Sequence, residues 1–102
     1  MFNVDLRGEE LNFATPRDYL IAELPREVFW NRHFPLIWWI SPWGNTVFNA
    51  RQCQALIPEL EQLRNYTDTQ DKFWGLPQLE ALIALAKRAA SEPDLYLVFQ
   101  GD

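Results

Sequence analysis

Apolar and polar residues alternate through "FNVDLR": Phe2, Val4 and Leu6 fall on one side, Asn3, Asp5 and Arg7 on the other. A period of two marks a strand with one face on a core and one in water. The same alternation returns in "DYLIAELP", where Leu20, Ala22 and Leu24 oppose Tyr19, Ile21 and Glu23. Pro25 ends it, because proline cannot donate to a ladder. Residues 8–16, between the two, are polar and turn-like.

The period breaks down in "REVFWNRHFPLIWWISPWG". Val28, Phe29, Trp30 and Phe34 suit a short helical turn before Pro35, and residues 36–40 fit a turn or a buried strand equally well. Pro42 and Gly44 then mark a β-turn, with proline where a fixed φ is wanted. A helical period starts at Asn49. Asn49 is placed as N-cap and Gln52 can reach back in a capping box. Asn45 and Thr46 read as local partners of the backbone in the same turn. Cys53, Leu56, Ile57, Leu60 and Leu63 then recur at three and four, predicting an amphipathic helix of about four turns. Pro58 inside that run predicts a kink or a split. Residues 65–74 read as a polar loop with room for one helical turn.

"GLPQLEALIALAKRAASEP" is the clearest helix: Pro77 suits its first turn, and Leu76, Leu79, Leu82, Ile83, Ala86 and Ala90 form its stripe. Glu80 near its start and Lys87 and Arg88 near its end suit the helix dipole. "DLYLVFQGD" closes the chain as a strand that is apolar on both faces, which predicts a central place in the sheet. The expected architecture is α+β, in the order β-β-(irregular aromatic segment)-α-α-β. About three mostly antiparallel strands are packed by two amphipathic helices. Residues 1–102 form one domain, the usual size for a single core.

Composition narrows the function classes. The net charge is −5 and the nine basic residues form no stripe, so nucleic acid, whose binding relies on Lys and Arg at phosphates, is not expected. An acidic surface favours a protein partner with a basic surface. The longest apolar run, residues 36–40, falls far short of the roughly 20 residues of a membrane span. The opening residues lack the pattern of a signal peptide. With a single cysteine, neither an internal disulfide nor a cysteine-rich zinc site is available. A cytoplasmic protein with no membrane partner is the expectation.

No catalytic constellation stands out, and no cofactor or metal is expected. Cys53 sits in an apolar stripe, where a thiol acts as a small hydrophobe rather than as a nucleophile paired with His33. The carboxylates Glu59, Glu61, Asp68 and Asp71 lack EF-hand spacing, and no phosphate-cradling glycine loop or nucleophile elbow is present. The five tryptophans, at 30, 38, 39, 43 and 74, are the strongest candidates. Two or three are expected to fill the core; at least one of the adjacent Trp38 and Trp39, which cannot both point the same way on a strand, is expected at the surface with Trp43 at the turn as a binding element. The partner-binding candidates are Trp38, Trp39, Trp43, Asn45, Arg51 and Trp74. Pro42, Gly44, Asn49 and Gln52 are the turn and cap residues.

"SPWGNTVFNARQ" and the terminal "LYLVFQGD" resemble a group of small bacterial proteins. That group has a D-x-Y-G-D-T-V-F-N-x-x-Q-like segment in mid-chain and ends in L-Y-L-x-F-x-G-D. The matching positions are Gly44, Thr46, Val47, Phe48, Asn49 and Gln52, then Leu95, Tyr96, Leu97, Phe99, Gly101 and Asp102. The resemblance extends in outline to the opening strand and the order of the two helices. Ser41, Trp43 and Asn45 replace an acid, a tyrosine and an acid of the group, so a cation site or catalytic pair built on those acids would be lost here. The resemblance carries a fold rather than an activity. Short acidic bacterial proteins of this kind look like immunity proteins that neutralise toxins.

The leading expectation is therefore a non-enzymatic protein-binding module, of the immunity type by its size and charge. One alternative is a small-ligand or enzymatic domain using residues 44–52, with Asn45, Asn49, Arg51 and Gln52 around an aromatic pocket. Another is a structural subunit of a homo-oligomer.

Overall fold

The computed structural model describes residues 2–8, 19–22, 34–41, 43–70 and 76–101. The elements are β1 (Phe2–Arg7), β2 (Tyr19–Ala22), α1 (Pro35–Trp38), β3 (Asn45–Phe48), α2 (Ala50–Gln70), α3 (Leu76–Ser91) and β4 (Tyr96–Gln100). The sheet is four-stranded and antiparallel, in the order β2-β1-β4-β3. The class is the α+β arrangement expected from the pattern, with helices on an antiparallel sheet. The sheet has one strand more than the pattern suggested: "NTVF", read as a turn, is β3. Thr46, Val47 and Phe48 favour a strand, but the segment opens on Asn45 beside Gly44 and its four residues are too few to show a period.

β4 lies between β1 and β3, as its two apolar faces required. Phe99 stands opposite Val4 on one side and Thr46 on the other, and Leu97 opposite Leu6 and Phe48. Val4, Leu6, Phe48, Leu97 and Phe99 thus make one buried sheet face. Phe48 and Phe99 meet edge to face, with ring centroids 5.7 Å apart, the arrangement that sets a positive ring edge on a negative ring face. Cys53, Leu56, Leu60 and Leu63 of α2 cover this face together with Leu79, Leu82, Ile83, Ala86 and Ala89 of α3. Ile57 and Ala90 are only partly buried against it.

The polar side of β1 is not uniformly wet. Asp5 is 1% exposed and lies opposite Val98 in the ladder. The Arg7 Nε donates to its Oδ2 at 2.8 Å. A charge taken out of water needs such a partner, and the other oxygen, Oδ1, has none.

α2 is longer than its apolar stripe, running through Pro58 without a split to Gln70. The loop expected from residue 65 is helical as far as Gln70. Once nucleated, a helix extends by one hydrogen bond per residue fixed, so a polar continuation needs no stripe of its own. Pro58 deprives the Gln54 carbonyl of its usual donor; both residues are exposed, where water can serve it. The Gln54 side chain donates across to the Ala90 carbonyl at 3.4 Å. The first turns of α2 therefore lie beside the last turn of α3, and the two helices run antiparallel. Among the described residues no helix is long and apolar enough to cross a membrane.

Candidate functional site

The aromatic segment is anchored at both ends. α1 begins at Pro35, which has no N–H, so the first helical donors needing a partner are those of Leu36 and Ile37. Both donate to one carboxylate on α2. Leu36 N lies 3.0 and 3.1 Å from the two Glu59 oxygens and Ile37 N lies 3.1 Å from Oε1. The next amide, Trp38 N, donates to Phe34 O at 2.8 Å. Ile40 N then donates to Ile37 O at 3.0 Å, a tightened final turn. Burial pushes the Glu59 carboxyl above its ordinary value, and the bonds from Ile37 and Leu36 pull it back down in part. A carboxylate at a helix start also meets the positive end of the backbone dipoles.

Phe34, Ile37 and Ile40 are the buried residues of this segment. Three-residue steps put them on one side of a helical turn, and successive residues rotate by about 100°. Trp38 and Trp39 therefore turn outward together, 55% and 70% exposed. The expectation that at least one of the pair is exposed assumed a strand; the helical turn exposes both. Trp43, in the bend that follows, is 81% exposed. These three do not fill the core, which aliphatic residues and phenylalanine occupy; the expectation of two or three core tryptophans turns on residues outside those described. Trp30, Trp74 and His33 lie outside the described residues.

The bend closes on β3 through side chains. Ser41 N donates to the Thr46 hydroxyl at 2.9 Å, and Trp43 N to the Ser41 hydroxyl at 3.2 Å. Gly44 O accepts from Gly101 N at 2.9 Å, joining the start of β3 to the end of β4. Pro42 lies outside the described residues. β3, which follows Gly44, and β4, which precedes Gly101, are thus adjacent strands. At the far end of β3, Asn49 Oδ1 accepts from Gln52 N at 2.8 Å and Gln52 Oε1 accepts from Asn49 N at 2.9 Å. That is a closed capping box at the start of α2.

Asn49 and Gln52 are therefore engaged in the cap, while Asn45 and Arg51 are exposed on the strand and on the first turn of α2. Cys53 is fully buried, its sulfur 3.9 Å from Phe48 O. Burial pushes its thiol up to about 11, against a smaller opposing effect of a backbone hydrogen bond with Leu97. A neutral, enclosed thiol is no nucleophile at ordinary pH. Among the described residues no three His, Cys, Asp or Glu side chains gather as a metal site would need.

What the site offers is contact area. Residues 34–50 contain no charged side chain in a chain with 23% charged residues, and they expose three indoles. Sequence reasoning found the indoles but missed Glu59, whose role depends on a partner 22 and 23 residues away. By fold the chain is a small α+β domain with a four-stranded antiparallel sheet and an aromatic bend leading to an edge strand. Comparison with protein-family models, with curated proteins and with solved structures gives no match.

Proposed function

We propose that the chain is a non-enzymatic protein-binding module, of the immunity type that neutralises a toxin by covering its surface, and that α1 presents the contact. The observation that carries the reading is the exposure of Trp38 and Trp39 on a turn held by Glu59 and by the buried Phe34, Ile37 and Ile40. An exposed indole on a mobile segment would lose conformational freedom on binding; one on a braced turn has little left to lose. Tryptophan is the residue most enriched where binding energy concentrates. The net charge of −5 favours a partner with a basic surface, through faster encounter more than through tighter final contact.

The test is binding of the purified chain to toxin candidates encoded beside it, compared with a Trp38→Ser/Trp39→Ser variant. The expected result is a complex at micromolar concentration whose affinity falls at least tenfold in the variant. Its association rate is expected to drop as salt is raised. A chain that binds none of them at that concentration, or a variant that binds as well as the parent, overturns the reading.

A further inference from the structure

Among the described residues the sheet ends on β3, whose one partner in the ladder is β4. The bond from Gly101 N to Gly44 O sets the phase of that ladder. In an antiparallel pair alternate residues exchange both main-chain bonds with the partner. Residues 44, 46 and 48 therefore turn their N–H and C=O toward β4, and Asn45 and Val47 turn theirs to the outer edge. Among the described residues no hydrogen bond reaches those four outward groups. α1 packs on α2 and does not lie over β3.

Natural edge strands are commonly guarded by lysine, proline, a bulge or an inward charge. β3, Asn45-Thr46-Val47-Phe48, pairs residue for residue with β4 and carries none of these devices, so among the described residues its shortness is its one guard. Its Val47 is 40% exposed, and Trp43 just ahead of it 81%. The opposite edge, β2, differs: in sequence it is bounded by Asp18 on one side and Glu23 on the other.

We propose that β3 pairs antiparallel with β3 of a second copy, about a two-fold axis at Thr46, to give one continuous eight-stranded sheet. The phase of the edge selects this register. With the axis at Thr46, Asn45 of each copy faces Val47 of the other, and each such pair exchanges two main-chain bonds, four in all. An isologous contact needs only one self-complementary patch. Charge at the edge itself favours a second copy over a basic peptide, because residues 43–48 carry no acid to attract one. The same neutrality lets two chains of net charge −5 meet without opposing like charges at the seam. A four-residue strand with Trp43 and Val47 offers less than the roughly 800 Å² per partner of a standard interface, so the dimer is a transient one in the micromolar range. This goes beyond the toxin-binding reading, which concerns Trp38 and Trp39.

Sedimentation equilibrium of the full chain over about 1–300 µM, within the range of weak association, tests it. The parent is expected to move from monomer mass toward twice that mass. Val47→Pro removes a donor that faces away from β4, leaving the β3–β4 bonds in place, and Val47→Lys puts a charge at the seam. Both are expected to weaken self-association at least tenfold with the circular dichroism of the parent. If the proline variant does not fold, the lysine variant and the Val47 amide of the parent decide. That amide should exchange slowly at high concentration and quickly at low. A parent that stays monomeric throughout, or a dimer equally strong in the lysine variant, overturns the proposal. Neither measurement involves a toxin, and Trp38→Ser/Trp39→Ser should dimerise normally, so this inference and the binding reading can fail separately.

Discussion

Two helix starts fifteen residues apart in the chain, at Pro35 and Ala50, are satisfied in opposite ways. α2 is capped from within: Asn49 and Gln52 answer each other's amides over three residues, at an exposed position. α1 is capped from outside, by Glu59 of another helix, at a partly buried position. A local cap makes a helix begin at a given residue wherever the segment lies. A distant one makes a turn too short to persist alone take up one place against the rest of the fold. The first defines an element; the second positions a surface.

Glu59→Ala breaks this contrast most severely. It leaves the Leu36 and Ile37 amides without their acceptor, and a buried amide left unpaired costs about 1–3 kcal/mol. The expected loss is about 2–3 kcal/mol in urea unfolding, with faster exchange of those two amides; a loss under about 0.5 kcal/mol, the scale of ordinary surface changes, would show that Glu59 does not hold the turn. Glu59→Gln separates the hydrogen bonds from the charge. A carboxyl whose folded pKa lies above its ordinary value of 4.5 binds its proton more tightly in the folded chain. Its contribution is complete below that ordinary value and is lost as pH rises through the folded value. The stability of the parent relative to Glu59→Gln should therefore fall with rising pH across that window and level off above it.

Asn49→Ala removes the local cap and is expected to cost about 1 kcal/mol, read from the shift in urea midpoint at unchanged slope. The smaller figure follows from exposure: water can take over the freed Gln52 amide. This cap was legible in the sequence because both partners lie within one turn and belong to the residue types that such a turn selects. α3 and β4 were legible for a similar reason, since their periods run over enough residues to be unambiguous. β3 was not, being four residues of mixed character whose extended form depends on β4, almost fifty residues later in the chain. The Glu59 anchor was equally hidden, because a lone glutamate on a helix looks the same whether it meets water or the start of another helix.

The outward turn of Trp38 and Trp39 gives the last and smallest effect. Large apolar side chains are mostly taken as core, and a chain with five tryptophans invites that reading. Here the inward positions of α1 belong to Ile37 and its neighbours Phe34 and Ile40, and the indoles take the directions left over. Trp38→Ser/Trp39→Ser should then change unfolding free energy by no more than about 0.5 kcal/mol per site, the range of exposed substitutions, against several for a truncated core aromatic. A loss of core size would mean that the indoles support the fold. A near-zero change, beside the large effect of Glu59→Ala, would separate the residues that hold α1 in place from those it displays.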